Sequence, residues 1–373
     1  MTGAGKLPRV HTAFGRSAPF TIGIEEEYQL VSAESHELVP RFDAIAEEAA
    51  DERVHQELMT SVLEAATGVH ARVEDAADEV RQIRRHLADA AARHSALIAS
   101  AGTHPFSRWE HQEISESPRY QGVVEELRWV AEQVAIFGLH VHVGVATGDA
   151  AAAIATAVRT HVPELLALSA NSPYWQGHAT GLASTRSKVF ETMPRSGLPP
   201  RLDSFADFVE LVERGTEAGF FADYTYLWWD VRPHPNHGTI ELRAFDAQTR
   251  VESVAAIAAL AQSLVAAFAE RRPAPQPRTF VDENKWRAAR YGLEADLVDL
   301  ARDTERPARA AIEELLERAG PQARRLGCEA ELAEVEAILD RGNGADEQRR
   351  VESETGSLLG VSRWLTEQTV AGL

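Results

Sequence analysis

The stretch TIGIEEEYQLV, at residues 21–31, has the alternation that decides the fold. Its apolar side chains recur at every second position, which predicts a β-strand with one apolar face. They are Ile22, Ile24, Tyr28 and Leu30. Glu25 and Glu27 fall on the opposite face, although glutamate is a poor strand former and neighbouring carboxylates repel each other. The strand therefore needs partners for this charge, and Glu26, on the apolar side, needs a basic partner or an exposed position.

Composition narrows the class of protein. The chain has 373 residues, 44% of them hydrophobic, and a formal net charge of -19. Such an acidic chain is not expected to bind nucleic acid or an anionic membrane as its main partner. The single cysteine, Cys328, allows no intrachain disulfide and is interpreted as a structural thiol. With no signal peptide and no apolar run of membrane-spanning length, the sequence predicts a soluble, cytoplasmic protein.

Periodicity predicts an α+β organisation. Residues 1–19 are expected to be a flexible lead-in, residues 20–280 a mixed core, and residues 281–373 a helical section packed on that core within one domain, with a separate C-terminal domain as the alternative. The pattern over residues 41–100 is mostly helical, residues 149–170 read as one helix, and residues 225–233 are strand-like. The segment RRPAPQPR, at residues 271–278, is the best linker candidate. Residues 251–270 read as a helix.

Two histidines lie inside a predicted strand, GLHVHVG. His140 and His142 alternate with apolar residues, so both imidazoles are expected on one face. The pair could bind a metal, or a metal and a phosphate. It also resembles the His-x-His strand of zinc-dependent hydrolases, which is a competing hypothesis.

Further carboxylates and cations accompany them. Glu241 and Arg243 share one face of the predicted strand GTIELRAFD, either as a salt bridge or as a metal ligand beside a phosphate-binding guanidinium. Glu57 and Glu64 are seven residues apart, which would place them on one face of a helix but not of a regular strand. The default for them is an exposed helix surface.

A long segment, residues 171–202, is rich in Gly, Pro and Ser and carries clustered cations. These are Arg186, Lys188, Arg195 and Arg201. In an acidic protein such a cluster suits an anionic substrate, although a solvated loop with local salt bridges would show the same composition. Together, the carboxylates and a histidine could hold two or three Mg²⁺ ions while arginines bind a transferring phosphoryl group. No Walker-type loop is present.

Several motifs, in this order, resemble those of the carboxylate–amine ligases known as type-2 glutamate–cysteine ligases. They are GIEEEYQL, GLHVHVG, ANSPYWQGHATGLASTR and HGTIELRAFD, with ENKWRAARYGL and WLTEQT nearer the C-terminus. The resemblance covers residue 20 onwards. It implies the fold of the glutamine synthetase superfamily, which is a curved, mostly antiparallel sheet forming a funnel with helices outside.

The resemblance also implies a mechanism that uses ATP, Mg²⁺ and an acyl phosphate. Its metal ligands would be Glu25, Glu27, Glu57, Glu64, His140 and Glu241. His142 would lie near the nucleotide phosphates, Arg243 would face the transferred phosphoryl group, and Arg186 would bind substrate or phosphate. The expected partners are glutamate or a similar acid and an amine such as cysteine, with a homodimer as an option. A metal-dependent hydrolase and a non-catalytic nucleotide- or amino-acid-binding relative remain the alternatives.

Overall fold

The computed structural model describes residues 10–373. Its central strand, β1, spans Ile22–Ser32 and buries alternate side chains, as the sequence predicts. Glu25 and Glu27 lie on the other face and are only partly buried. The period-two interpretation of this stretch is therefore confirmed.

Strand β1 lies inside a seven-stranded sheet with the order β2-β3-β1-β5-β9-β8, and β4 pairs with the end of β1. Every pairing in this sheet is antiparallel. Two small hairpins stand apart from it, β6–β7 and β10–β11. The strands that follow β1 are β2 (Val54–Gln56), β3 (Val62–Ala66), β4 (Ala96–Ala99), β5 (Gly138–Gly144), β6 (Tyr174–Trp175), β7 (His178–Ala179), β8 (Val231–His234), β9 (Thr239–Asp246), β10 (Asp296–Asp299) and β11 (Thr304–Pro307).

Helices cover one side of the sheet and continue to the C-terminus. In chain order they are α1 (Phe42–Ala49), α2 (Val73–Arg93), α3 (Pro118–Leu127), α4 (Trp129–Glu132), α5 (Gly148–Arg159), α6 (Val162–Ser169), α7 (Thr185–Phe190), α8 (Phe205–Glu217), α9 (Val251–Glu270), α10 (Arg278–Tyr291), α11 (Ala308–Leu326), α12 (Glu329–Arg341), α13 (Gly344–Thr355) and α14 (Leu358–Thr369). The expected α+β class, with an antiparallel sheet and helices outside, is confirmed.

The largest hydrophobic core lies between the sheet and α9. Ile22 and Ile24 from β1 and Val141 from β5 pack in the same cluster as the buried residues of α5 and α9. Helix α9 is apolar on nearly all sides, which suits a helix surrounded by protein. The helices α11 and α12 pack against it, and Cys328 is buried in the same core, consistent with a structural thiol.

The same helix departs from one expectation. By length and composition α9 could cross a membrane, whereas the sequence predicted no such run. However, 94% of its most apolar window is buried inside the protein, as in the core helix of a globular fold.

Glu26, the odd carboxylate of β1, has a basic partner. It is 1% exposed, and Arg84 of α2 donates to it with an Nη2–Oε1 distance of 2.6 Å. The remaining Arg84 donors reach the carbonyls of Gln248, Thr249 and Thr369, and Tyr28 also contacts Glu26. This buried ion pair connects β1 to the segment after β9 and to the end of α14.

Four local predictions need correction. The predominantly helical interpretation of residues 41–100 is wrong for residues 54–66, which form the hairpin β2–β3, and for β4, which pairs with β1. Sheet pairing overrides the helix preference of Glu, Leu, Met and Ala there. The helix predicted over residues 149–170 divides into α5 and α6 just before Pro163. The strand expected over residues 225–233 begins only at Val231. The helical C-terminal section also contains the hairpin β10–β11.

The predicted domain division remains a prediction. Residues 1–9 of the expected lead-in lie outside the described residues, and residues 10–21 form no helix or strand. Ala13 N–H donates to Pro235 O (2.8 Å) and Phe20 N–H to Gly144 O (2.8 Å), so this part is held against the sheet. The segment between α9 and α10 is irregular and mostly exposed, as expected of the linker candidate.

Candidate active site

The inner face of the sheet lines a cavity of about 300 Å³. Eight of the nine predicted site residues line it, and they come from widely separated parts of the chain. They are Glu25, Glu27, Glu57, Glu64, His140, Arg186, Glu241 and Arg243. The structure therefore brings the predicted residues together, while their individual roles remain predictions.

Strand register explains this convergence. Glu25 of β1 lies opposite His140 of β5, and Glu27 lies opposite Glu64 of β3. Glu241 of β9 lies opposite His142. Since side chains of directly paired residues share a face, three antiparallel pairings place these groups side by side. A register shift between Leu139 and Val141 adds a bulge beside His140, a feature that redirects side chains in sheets.

The first potential metal-binding group consists of Glu25, His140 and Glu241, which offer ligand atoms within 4.8 Å of one another. His140 Nδ1 lies 3.1 Å from one carboxylate oxygen of Glu25. Burial opposes ionisation of Glu25, but the charge of His142 and hydrogen bonds from both histidines hold the pKa of Glu25 well below its ordinary value. This carboxylate is therefore anionic near neutral pH.

The second group consists of Glu27, Glu64 and His140, again within 4.8 Å. Glu57, which the resemblance assigns to this metal, lies in the same cavity but outside this set of ligand atoms. Burial and the charge of Glu27 raise the pKa of Glu57 to about 7. Burial and the neighbouring carboxylates Glu25 and Glu57 raise the pKa of Glu64 well above its ordinary value. The protein has thus concentrated carboxylates that resist simultaneous ionisation.

These residues fit divalent cations. Carboxylate oxygens are the ligands that Mg²⁺ prefers, and a cation would offset the repulsion between Glu27, Glu57 and Glu64. Among the described residues, the buried His140 Nε2 atom has no hydrogen-bond partner, which leaves it available as a ligand. Glu57 and Glu64 lie on or beside strands rather than on the helix that the sequence favoured, so both reach the cavity through the β2–β3 hairpin.

Glu241 lies between two guanidinium groups. Arg232 of β8 donates to Glu241 Oε2 at 2.8 Å from Nε and 2.7 Å from Nη2, and Arg243 binds Oε1. Burial opposes ionisation of Glu241, but the charges of Arg232 and Arg243 hold its pKa well below its ordinary value. Arg243 thereby occupies a fixed position on the cavity wall.

Arg186 differs from Arg243 because no carboxylate among the described residues pairs with it. Its side chain is 4% exposed, its Nη atoms lie 3.4 Å from the carbonyl of Arg243, and its Nε atom has no partner. Gly138 makes room for it, since a Cβ atom at that position would lie 2.3 Å from Arg186 Nη2. A buried, unneutralised guanidinium at a cavity wall suits an anionic ligand.

The other cations of the arginine-rich segment do not line this cavity. Lys188 pairs with Glu191, Arg195 with Glu126 and Arg201 with Asp203. For these three residues the local salt-bridge interpretation is the correct one. The segment itself folds into the hairpin β6–β7 and the helix α7, whose N-cap is Ser184.

His142 does not line the cavity. Its Nε2 atom lies 3.1 Å from Glu25 and its Nδ1 atom 2.9 Å from Thr239. It therefore contacts the Glu25 carboxylate and helps to lower the pKa of Glu25. Its ring also contacts those of His234 and His237, which stack on each other at 4.2 Å. This histidine cluster at the β8–β9 turn follows from the motif HPNHG.

Sequence reasoning missed Arg232, Arg119 and Tyr120, which also line the cavity. Arg232 stands directly opposite Glu241 in the β8–β9 pairing, and the prediction of β8 as a strand contained the signal for it. Arg119 and Tyr120 lie in the first turn of α3. Nothing in the local sequence pattern distinguishes them from exposed residues.

Two solved structures share this fold over most of the chain. A glutamate–cysteine ligase from Francisella tularensis, solved in complex with AMP, matches with a TM-score of 0.69 at 14% identity, over 94% of this chain and 89% of that chain. A bifunctional glutathione synthetase from Pasteurella multocida matches with a TM-score of 0.69 at 18% identity, over 94% of this chain and 52% of that chain.

Sequence similarity then identifies the family. Residues 21–363 match the model of glutamate-cysteine ligase family 2. "Putative glutamate--cysteine ligase 2-3" of Rubrobacter xylanophilus is 47% identical over 96% of this chain and the whole of that protein. "Putative glutamate--cysteine ligase 2" of Solibacter usitatus is 41% identical over 95% of this chain and 94% of that protein. The chain belongs to glutamate-cysteine ligase family 2.

Proposed function

We propose that the protein is an ATP-dependent carboxylate–amine ligase that forms a γ-glutamyl amide. The observation that carries the proposal is one cavity in which two groups of metal-ligating side chains adjoin Arg186 and Arg243. Family membership supports the same reaction class. A carboxylate is a poor electrophile, so joining it to an amine requires an activated intermediate such as an acyl phosphate.

In the proposed reaction a side-chain carboxylate oxygen of glutamate attacks the γ-phosphorus of ATP, and ADP leaves. The amine nitrogen then attacks the acyl carbon, phosphate leaves with the C–O bond electrons, and the nitrogen loses a proton. Arg243 neutralises charge on the transferred phosphoryl group, and Arg186 binds the acid substrate or the phosphate. Arg186 is buried and Arg243 is partly buried, and positively charged groups held in place at a cavity wall suit phosphoryl transfer.

The metal assignments belong to the same proposal. Glu25, His140 and Glu241 would hold one Mg²⁺, which would neutralise charge on the ATP phosphates, with His142 beside them. Glu27, Glu57 and Glu64 would hold a second ion. Such ions supply charge neutralisation for phosphoryl transfer. Cytoplasmic location, an acceptor amine such as cysteine, and a homodimer as an option remain predictions.

The hydrolase alternative has less support. It requires His140 and His142 to share one metal, whereas His142 does not line the cavity and is engaged by Glu25 and Thr239. The non-catalytic alternative does not explain why Arg186 lies in the same cavity as the potential metal ligands. The family to which the chain belongs and the solved structure that shares its fold are both named as ligases.

The test is ADP release by the purified protein with ATP, Mg²⁺ and L-glutamate, against a panel of amines that includes cysteine, with product masses read in parallel. Amine-dependent ADP release with a matching γ-glutamyl product is the expected result. Zinc-dependent hydrolysis without ATP would instead support the hydrolase, and ATP binding without ADP release would support the non-catalytic relative.

Two variants test the assigned residues. Glu27→Ala and Arg243→Ala should each abolish turnover while circular dichroism shows an intact fold. Glu113→Ala, an exposed glutamate outside the cavity, is the control and should keep full activity. Full activity in either site variant would contradict the assignment.

A further inference from the structure

The cavity has an apolar wall that none of the proposed roles uses. Its members come from α3, the segment after α4, the end of α7 with the residues that follow it, and the segment before β8. They are Val123, Val134, Phe190, Met193 and Trp228. The same five side chains belong to one hydrophobic cluster, so they form a continuous surface rather than scattered apolar positions.

This wall adjoins the charged end of the cavity at two places. The ring of Phe190 lies 5.7 Å from the guanidinium carbon of Arg186. On the other side, Tyr120 lies beside Glu57 and packs in a cluster with Leu58 and Val134. A molecule whose reactive end meets Arg186 and Glu57 can therefore rest its remaining atoms on the wall.

Glutamate, ATP and the acceptor amine are the three reactants that could bind against the apolar wall. Glutamate carries a charged α-amino group and α-carboxylate, which lose hydration without compensation against apolar side chains. The ATP phosphates belong, under the proposed function, to the group Glu25, His140 and Glu241, whereas the wall adjoins Glu57. Adenine bound on the wall instead would appear as a change in KM for ATP in the wall variant described below. The acceptor amine is the remaining reactant.

We infer that the acceptor is a primary amine with an apolar body, which the wall formed by Val123, Val134, Phe190, Met193 and Trp228 takes out of water. This inference rests on the proposed function and narrows its substrate class. It places cysteine, with its small side chain, below longer apolar acceptors. Each methylene buried on the wall should raise kcat/KM by about fourfold.

The experiment compares amines of equal size and different polarity. With ATP, Mg²⁺ and L-glutamate fixed, kcat/KM is measured for ethanolamine against propylamine, for L-serine against L-2-aminobutyrate, and for propylamine against pentylamine. We expect the apolar member of each isosteric pair to be at least tenfold better, and pentylamine, with two more methylenes, to exceed propylamine by about sixteenfold.

A variant pair locates the effect on the wall. Val123→Thr keeps the side-chain shape and adds a hydroxyl, so it should lower kcat/KM for pentylamine three- to tenfold while leaving KM for ATP unchanged. Val212→Thr on α8 is the control, because Val123 and Val212 are each 6% exposed and Val212 lies away from the cavity. It should change neither constant.

The outcomes separate the two proposals. Amine-dependent ADP release without preference for apolar acceptors, or a change in KM for ATP in Val123→Thr, would overturn the apolar-acceptor inference alone. If no amine releases ADP, the proposed function fails. In that case, calorimetry with Mg²⁺ and a non-hydrolysable ATP analogue still measures the affinities of pentylamine and ethanolamine for the protein. Equal affinities would overturn the apolar-acceptor inference.

Discussion

Glu57 provides the sharpest test of the carboxylate cluster. Burial and the neighbouring Glu27 raise its pKa to about 7 from an ordinary value of 4.5. Because the folded-state pKa exceeds that of the unfolded chain, the metal-free fold loses stability as pH rises from about 4.5 to about 7. The full difference corresponds to roughly 3 kcal/mol, and exposure to the cavity reduces it, so we expect about 1–3 kcal/mol.

Glu57→Gln removes this charge and keeps an oxygen that can accept the hydrogen bond from Leu58 N–H, which is 3.1 Å long in the wild type. In EDTA at pH 8 the variant should therefore unfold with a free energy about 1–3 kcal/mol above that of the wild type. Mg²⁺ at a hundredfold excess over its dissociation constant would stabilise the wild type by about 2.7 kcal/mol. If Glu57 is a ligand, the variant should lose at least half of this stabilisation.

The assay is equilibrium urea unfolding followed by tryptophan fluorescence, at pH 8 and at pH 4.5, with EDTA or with Mg²⁺. Glu113→Gln, at an exposed position, is the control and should match the wild type in all four conditions. The reasoning is refuted if Glu57→Gln is less stable than the wild type in EDTA at pH 8. It is also refuted if the variant is stabilised by the same amount at pH 4.5. At that pH the side chain at position 57 is neutral in the folded wild type as well as in the variant.

Three other predictions concern the structure around the site. Arg84→Met leaves the buried carboxylate on β1 unpaired and should lower the unfolding free energy by about 3–5 kcal/mol in urea titrations; a loss under 1 kcal/mol would contradict this. Gly138→Ala should displace the Arg186 guanidinium and lower kcat/KM for the acid at least tenfold, whereas Gly122→Ala, where a Cβ meets nothing within 4 Å, should have no effect. Burial lowers the pKa of His104 from 6.5 to about 3, so between these values the unfolded chain binds a proton that the folded protein does not. The free energy of unfolding should therefore be roughly 2 kcal/mol lower at pH 5 than above pH 6.5. Urea unfolding at pH 7 and 5 checks this, and His104→Asn should reduce the slope.

The site was predictable where it follows from strand alternation. Glu25 and Glu27, and likewise Glu241 and Arg243, share a face because successive side chains of a strand point in opposite directions. This rule needs no knowledge of the partner strand. The resemblance to a family then supplied the two members that alternation alone left undecided, Glu57 and Glu64.

What escaped prediction depends on contacts distant in sequence. The hairpin β2–β3 consists of residues that favour helices, and its conformation follows from pairing with β1. Arg84 meets Glu26 across 58 residues, and on α2 it looks like any other arginine of an amphipathic helix. Arg119 and the apolar wall become visible only when α3 and the end of α7 meet at the cavity.

Strand β1 carries three consecutive glutamates because its two faces treat charge differently. On the buried face, Glu26 has Arg84 as a permanent partner, and the pair is complete within the protein. On the cavity face, Glu27 shares its surroundings with Glu57 and Glu64, whose pKa values are raised by burial and then by the charges of neighbouring carboxylates. An arrangement that is unfavourable in the folded chain alone supports the proposal that a cation binds here. The expected gain in stability of Glu57→Gln without metal and its loss of the response to Mg²⁺ are therefore two consequences of one cause.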